Sequence, residues 1–160
     1  MPKVLNLNPR SIYNKKKEFV TFVTEEDIDL ICISESWEKE NLRLDKVIKI
    51  ENYSVISNVF QRRGQGGRPA IIANKEKFTV ENLTQTAIEI PWGIEVVWAI
   101  LTPKNVSNAS KIQKIVVGSI YSKPDSRKKI CLIRSHITSL QLSLFTVQKW
   151  PSLDCGRRHK

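Results

Sequence analysis

The stretch DLICISESW, residues 29–37, joins an apolar run to a polar end. Four apolar residues, Leu30 to Ile33, are followed directly by Ser34 and Glu35. A short apolar run that stops at polar residues is typical of a buried strand. In α/β folds, ligands bind where the carboxyl ends of neighbouring strands converge, so the Glu35 carboxylate is a candidate site residue.

A strand and a helix precede this stretch and complete a strand-helix-strand unit. The segment KVLNLN, residues 3–8, is short and apolar and stops at an Asn-Pro pair, which predicts a strand ending near Asn8. From residue 12 to about residue 23, apolar residues recur at near-helical spacing. Such a unit places its two strands side by side and parallel, through a right-handed crossover. Asn8 and Glu35 are therefore expected at neighbouring strand ends.

This pair of side chains suits a hard cation. Magnesium prefers oxygen ligands, keeps several waters and takes only one or two carboxylates from the protein. An amide oxygen of Asn8 beside the carboxylate of Glu35 would offer it such a site. The spacing also allows a capping Asn and a solvent-facing Glu, so both interpretations stay open.

The rest of the chain predicts mostly antiparallel sheet. The residues after Trp37 are charged and irregular as far as Tyr53. Short apolar or β-branched segments then follow one another without helices between them. These segments are residues 53–60, 70–73, 78–80, 86–90, 94–101 and 114–121. Apolar residues at three- and four-residue steps predict a helix over 126–144. The predicted class is α/β, a mixed sheet with flanking helices.

Length and composition fit one globular domain. The chain has 160 residues, of which 41% are hydrophobic. No apolar run approaches the roughly 20 residues of a membrane-spanning helix, and the first residues lack a secretory signal. Three cysteines without a Cys-x-x-Cys pair indicate neither a disulfide framework nor a thiolate zinc site. We expect an intracellular protein with no membrane partner, and the sequence does not indicate its oligomeric state.

The net charge of +10 is concentrated towards the end of the chain. From residue 125 onward, eight Lys and Arg stand against two Asp, a balance of +6, which leaves +4 for the first 124 residues. Clustered Lys and Arg attract phosphate whatever the nucleotide sequence. The charge therefore fits either a nucleic-acid-binding surface or a solvated one.

Four motifs occur in an order and at a spacing that resemble a known superfamily. They are LNLNPRSI at residues 5–12, DLICISESW at 29–37, GQGGRPAII at 64–72 and VVGSIYSKP at 116–124. Across residues 3–130 the chain resembles the endonuclease/exonuclease/phosphatase superfamily. The likeness is strongest to the apurinic-type endonuclease domain that opens the polyproteins of non-LTR retrotransposons.

The resemblance implies a fold and a chemistry. The superfamily fold is a four-layer α/β sandwich of two sheets flanked by helices, and this chain would hold its amino-terminal part. Members hydrolyse phosphodiesters or phosphomonoesters with a divalent metal, which implies Mg²⁺ as the cofactor. In the retrotransposon branch a nick in target DNA primes reverse transcription, so DNA is the implied partner. The resemblance also allows a nuclear location.

The resemblance also assigns roles to single residues. Glu35 corresponds to the principal magnesium-ligating carboxylate, and Asn8 to the Asn that touches the metal and phosphate region. Tyr121 corresponds to the Tyr that contacts the scissile phosphate, although a strand-end aromatic packed on the core is an open alternative. The glycine-rich loop is not a P-loop, because no Lys-Ser/Thr pair follows its glycines. Its arginines either contact DNA phosphates or form a solvated basic loop: Arg62, Arg63 and Arg68.

Two motifs that the superfamily needs for catalysis are absent from the sequence. These are a Gly-Asp-x-Asn motif on a later strand and a Ser-Asp-His motif near the end of the domain. His136 follows Ser135 but lies in the predicted helix directly after the strand of Tyr121, too early to be the terminal His. His159 lies in a charged terminus.

The last residues suggest how these motifs were lost. Synonymous codons for residues 143–160 can be read in another frame as YSQYKNGLHWIAGDAT, an apolar strand with a Gly-Asp. Our hypothesis is that a frameshift after about residue 136 replaced the native continuation, which divides the chain into a truncated endonuclease-like domain, 1–136, and a frameshifted tail, 137–160. The favoured function is an inactive remnant of a Mg²⁺-dependent DNA endonuclease of a retroelement. The alternatives are a non-catalytic, basic nucleic-acid-binding or interaction fragment, and an intact enzyme whose coding sequence is misassigned.

Overall fold

The computed structural model describes residues 2–39, 41–57, 67–83, 94–104 and 114–122. Seven strands and two helices lie in these ranges, and a 3₁₀ turn at Tyr13–Lys15 leads into the first helix. In chain order they are β1 (Val4–Leu7), α1 (Lys16–Glu25), β2 (Leu30–Ile33), α2 (Leu44–Val47), β3 (Tyr53–Ser57), β4 (Ala70–Asn74), β5 (Phe78–Asn82), β6 (Ile94–Pro103) and β7 (Ile115–Ser122).

The first sheet is mixed and has the strand order β1-β2-β4-β3. β1 and β2 are parallel, with Leu7 beside Ile33, so both strands end at the same edge. β4 is antiparallel to both β2 and β3. The predicted strand-helix-strand unit is confirmed.

Both faces of the first sheet are buried, because successive side chains of a strand point to opposite faces. Ile31 and Ile33 of β2 share one core cluster with Phe19 of α1. Leu30 and Cys32 of the same strand belong to a second cluster that includes side chains of the other sheet. This double burial explains why the strand is a continuous apolar run.

The second sheet is antiparallel, with the order β5-β6-β7. Val97, Ala99 and Leu101 of β6 and Val117 of β7 pack in the cluster between the sheets. The described residues thus form a helix layer on one sheet and a second sheet on its other face. The predicted mixed α/β class is confirmed.

A short helix was missed by the sequence analysis. The segment after Trp37 was expected to be irregular, but it contains α2, whose four residues are too few to display a helical period. Its amide at Leu44 donates to Oε1 of Glu38 at 2.7 Å. No helix in the described ranges is both long enough and apolar enough to cross a membrane.

Four sequence predictions lie outside the described residues. They are the strand over 86–90, the helix over 126–144, the tail 137–160 and the roles of Arg62 and Arg63. The boundary between residues 136 and 137 lies outside them as well.

Candidate functional site

One edge of the molecule gathers the ends of five strands, and we call it the rim. It comprises residues 8–12, 34–38, 67–69, 94–95 and 119–122. β4 begins at the rim because it runs antiparallel to β2, with Ala70 beside Ile33. The second sheet reaches the same place, since the buried hydroxyl of Ser119 donates to the carbonyl of Ile33 at 2.7 Å.

Asn8 and Glu35 lie together at the rim. Nδ2 of Asn8 donates to Oε1 of Glu35 at 3.0 Å. The amide oxygen of Asn8 instead accepts the backbone N–H of Arg10 at 3.2 Å. Asn8 therefore faces the carboxylate with its N–H group, where the sequence analysis expected its oxygen, and the parallel pairing of β1 and β2 explains why the two side chains meet.

Trp37 holds the other oxygen of the Glu35 carboxylate. Its indole Nε1–H donates to Oε2 at 3.1 Å. Each carboxylate oxygen of Glu35 thus accepts one of the two N–H groups, which leaves lone pairs on both. Sequence reasoning missed Trp37, because its position depends on a positive φ of 57° that no local pattern indicates.

Backbone strain is concentrated at the rim. In the described ranges six residues other than glycine have a positive φ, and four of them belong to the rim. They are Arg10 (48°), Ser11 (86°), Trp37 (57°) and Arg68 (65°). The other two are Asp27 and Asn52, residue types that tolerate this conformation in turns. Strain of this kind persists where surrounding contacts enforce it, and it clusters at functional sites.

Residues 67–69 connect the two halves of the rim. The amide of Trp37 donates to the carbonyl of Gly67 at 3.2 Å. The amide and hydroxyl of Ser36 both donate to the carbonyl of Arg68, at 3.2 and 2.6 Å. On the other side, the Arg68 amide donates to Oε2 of Glu95 at 2.6 Å. This segment therefore ties β2 of the first sheet to β6 of the second.

Glu95 is a rim residue that the sequence analysis did not single out. Its carboxylate is buried, with 4% of the residue exposed. The signal available in the sequence is one acidic residue inside the apolar run of β6, IEVVWAIL. Burying a lone carboxylate is costly unless it accepts hydrogen bonds, so its position in an apolar strand marks Glu95 as a candidate site residue.

Tyr121 of β7 lies directly opposite Glu95 of β6 and packs on the same connecting segment. A Cβ atom built on Gly67 would come within 2.7 Å of the Tyr121 ring and 2.8 Å of Oε2 of Glu95. The ring is therefore in close contact with the Gly67 backbone, and the residue is half-buried. This position at the rim is compatible with both interpretations of Tyr121, and the phosphate contact stays a prediction.

The guanidinium of Arg68 is engaged inside the protein. Arg68 is 9% exposed, and its Nη1 donates to the backbone carbonyl of Glu38. Glu38 is itself buried, and its Oε1 accepts the hydroxyl of Ser57 at 3.0 Å. A DNA contact by Arg68 stays a prediction, and it would require this side chain to leave the Glu38 carbonyl.

The donor set at the rim is small. Within the part of the chain that the structure describes, no three His, Cys, Asp or Glu side chains gather in a group that could hold a metal. Glu35 with Asn8 is thus a pair of oxygen-bearing side chains, which suits a cation that keeps most of its water ligands.

Comparisons with known proteins identify the fold. No family model matches the sequence, and no curated protein matches it either. Solved structures do match: a D. rerio TDP2 humanized by 14 mutations has a TM-score of 0.56 at 13% identity, over 88% of this chain and 55% of that one.

Two further structures agree. An endonuclease/exonuclease/phosphatase from Bacteroides vulgatus has a TM-score of 0.54 at 12% identity, over 86% of this chain and 59% of its own. The AP endonuclease LMAP from Leishmania major has a TM-score of 0.50 at 16% identity, over 86% and 44%. The chain thus spans about half the length of these structures. At such identities the likeness establishes architecture, and the described chain has the two-sheet α/β fold of endonuclease/exonuclease/phosphatase proteins.

Proposed function

We propose that this chain carries the metal-binding part of a Mg²⁺-dependent phosphodiesterase domain, a DNA endonuclease remnant of a retroelement. The 160 residues do not cleave DNA by themselves in this proposal. The observation that carries it is the 3.0 Å hydrogen bond between Asn8 and Glu35 at neighbouring strand ends. The fold supports the choice of chemistry, because a TDP2 and an AP endonuclease share it.

Glu35 and Asn8 would hold the metal. A carboxylate has about four lone-pair positions, and two N–H groups occupy only part of those on Glu35. The oxygen of Asn8 accepts one N–H, from Arg10, and keeps a second lone pair. When bound, Mg²⁺ would stabilise negative charge developing on a phosphate. Binding is expected to be weak, because the pair brings a single carboxylate.

Cleavage also needs a base that activates water on the side opposite the leaving group. The superfamily resemblance assigns that work to the Asp of a Gly-Asp-x-Asn motif and stabilisation of the phosphate to the His of a Ser-Asp-His motif, and neither motif occurs in the sequence. Tyr121 would contact the phosphate without being able to replace a carboxylate base at neutral pH. We therefore propose that metal binding persists and hydrolysis does not.

Two measurements test this proposal on the full 160-residue chain. Titration with Mn²⁺, followed by electron paramagnetic resonance, should show a weak site that Mg²⁺ displaces and that Glu35→Gln removes. The control is Glu81→Gln, which removes an exposed carboxylate of β5 paired with Lys114 at 3.9 Å. Absence of a Glu35-dependent site would overturn the metal-binding half of the proposal.

The second measurement is incubation with supercoiled plasmid and Mg²⁺. We expect no nicking from the unchanged chain or from Glu35→Ala. Metal-dependent nicking that Glu35→Ala abolishes would contradict the proposed inactivity. Sequencing the locus tests the retroelement and frameshift parts. The alternative frame should encode the Gly-Asp strand, and a Ser-Asp-His ending should follow downstream in that same frame.

The net charge of +10 favours one alternative, a non-catalytic nucleic-acid-binding fragment. For such a fragment, affinity for duplex DNA would fall steeply with salt, with a logarithmic slope of about 0.9 for each phosphate contacted. DNA binding of this kind without a Mn²⁺ site at Glu35 would favour the alternative. No binding at low salt would remove it.

A further inference from the structure

We infer that Trp37 is a positioning residue, whose indole N–H fixes the carboxylate plane of Glu35 for a divalent cation. The inference rests on the proposed function, because it concerns the same site. It starts from the two donors on Glu35, which reach it from different parts of the chain. Asn8 binds Oε1 at 3.0 Å, and Trp37 binds Oε2 at 3.1 Å.

Two donors on opposite oxygens restrict rotation of the carboxylate. Turning the group about its last carbon-carbon bond moves both oxygens, so it would break both hydrogen bonds at once. With one donor removed, only one hydrogen bond opposes the rotation. A held carboxylate has already lost the rotational freedom that metal binding would otherwise cost.

The indole suits this role chemically. Its N–H is a donor only, so Trp37 neither competes with Glu35 for a cation nor ionises near neutral pH. Asn8 differs, because its amide carries both a donor and an acceptor and can serve either purpose. Trp37 therefore only orients Glu35, whereas Asn8 can also offer an oxygen to the cation.

The backbone holds Trp37 where the indole can reach Glu35. Its φ of 57° lies in the left-handed region, and its amide donates to the carbonyl of Gly67 at 3.2 Å. The neighbouring Ser36 is tied twice to Arg68. A strained conformation kept by three hydrogen bonds is expected where the geometry of a side chain matters.

The test compares Mn²⁺ affinity of the full chain with that of Trp37→Phe, which removes the N–H and keeps an aromatic ring. Loss of a partner that orients a ligand typically weakens metal binding about 10- to 100-fold, and we expect a loss in that range. Replacement of Trp37 by 3-benzothienylalanine, which has the indole shape without the N–H, gives the same result if the bond itself matters. If Trp37→Phe does not fold, the benzothienylalanine variant alone tests whether the indole N–H contributes to Mn²⁺ affinity.

The matched control is Tyr13→Phe. The Tyr13 hydroxyl donates to the carbonyl of Leu42 at 2.6 Å and accepts the amide of Lys39 at 3.2 Å. The substitution therefore removes hydrogen bonds from the segment that follows Trp37 without touching Glu35. It should lower the melting temperature and leave Mn²⁺ affinity unchanged.

Nuclear magnetic resonance provides a readout that a purely structural role would not move. The indole N–H resonance of Trp37, assigned by its loss in Trp37→Phe, should shift when Mg²⁺ is added, and this Mg²⁺-dependent shift should be absent in Glu35→Gln. Equal Mn²⁺ affinity in the unchanged chain and both Trp37 variants would overturn the inference and leave the proposed metal site intact. Absence of any Glu35-dependent Mn²⁺ site would instead overturn the proposed function and the inference together.

Discussion

Gly67 contacts three other rim residues: Trp37, Glu95 and Tyr121. Its φ of 74° is in the left-handed region, which glycine adopts without steric cost. The Tyr121 ring and Oε2 of Glu95 occupy the space where a side chain would begin. Only a residue without Cβ allows the connecting segment to pass between Trp37 and β6 at this distance.

We expect Gly67→Ala to destabilise the protein and displace the Tyr121 ring. The methyl group would lie 2.7 Å from two ring atoms, and Ala pays for the left-handed backbone as well. Together these costs amount to about 2–4 kcal/mol. Urea unfolding of both proteins measures the change, and an unchanged midpoint would contradict the contact.

A double mutant separates the two costs. In Gly67→Ala with Tyr121→Ala the ring is absent, so the combined loss of stability should be smaller than the sum of the single losses. Contacting residues show such coupling, of about 0.5–3 kcal/mol. Simple additivity would place the ring away from Gly67.

At the scale of elements, an ion-pair cluster opposite the rim joins the turn between β4 and β5 to the start of β2. Nζ of Lys77 binds Oδ2 of Asp27 at 2.9 Å and also pairs with the buried Asp29. Asp29 in turn accepts the backbone N–H of Lys3 at 2.8 Å. The hydrogen bonds that Lys77 donates, first to Asp29 and then to Asp27, raise the pKa of Lys77 well above its ordinary value.

The raised pKa of Lys77 predicts the pH range in which the ion-pair cluster stabilises the folded protein. Because the pKa of Lys77 is higher in the folded than in the unfolded protein, its contribution is complete below the unfolded value of about 10.4. The contribution is lost as pH rises towards the folded pKa. Stability at neutral pH should therefore be insensitive to the titration of Lys77.

Lys77→Met should lower stability by about 1–3 kcal/mol at pH 7, because Asp29 stays buried without its cation. The control is Lys114→Met, which breaks an exposed pair with Glu81 at 3.9 Å and should cost about 0–1 kcal/mol. Melting temperatures of the three proteins from pH 7 to pH 11 measure both effects. If the difference in melting temperature between Lys77→Met and the unchanged chain stays constant above pH 10.5, the raised pKa of Lys77 does not contribute to stability as described.

At the scale of the whole molecule, the sequence predicted what depends on local periodicity. The apolar run of β2 and the helical spacing before it imply parallel strand ends, and from these the meeting of Asn8 and Glu35 follows. Trp37 and Glu95 could not be predicted in this way. Their positions depend on a positive φ and on how residues 67–69 cross between the sheets, which are properties of tertiary packing.

The connecting segment makes the second sheet part of the site on the first. Glu95 accepts the Arg68 amide through a short hydrogen bond of 2.6 Å. The next residue back, Gly67, accepts the amide of Trp37, and the Trp37 indole holds Glu35. A substitution at Glu95 should therefore alter the position of the Glu35 carboxylate, through covalent and hydrogen-bonded links that are all present in the described chain.

We expect Glu95→Gln to weaken Mn²⁺ binding at Glu35 about fivefold, the equivalent of about 1 kcal/mol from a weaker bond to the Arg68 amide. Loss of a negative charge alone could produce a similar drop, so the decisive comparison is a double-mutant cycle with Trp37→Phe. If Glu95 acts through the segment and the indole, it has nothing left to position once Trp37 is replaced, and the two effects do not add. If it acts through its charge, they add. The control is Glu81→Gln, which removes a charge opposite Ile100 farther along β6 and should leave Mn²⁺ affinity unchanged. Full additivity of the Glu95→Gln and Trp37→Phe effects on Mn²⁺ affinity would disprove positioning across the sheets.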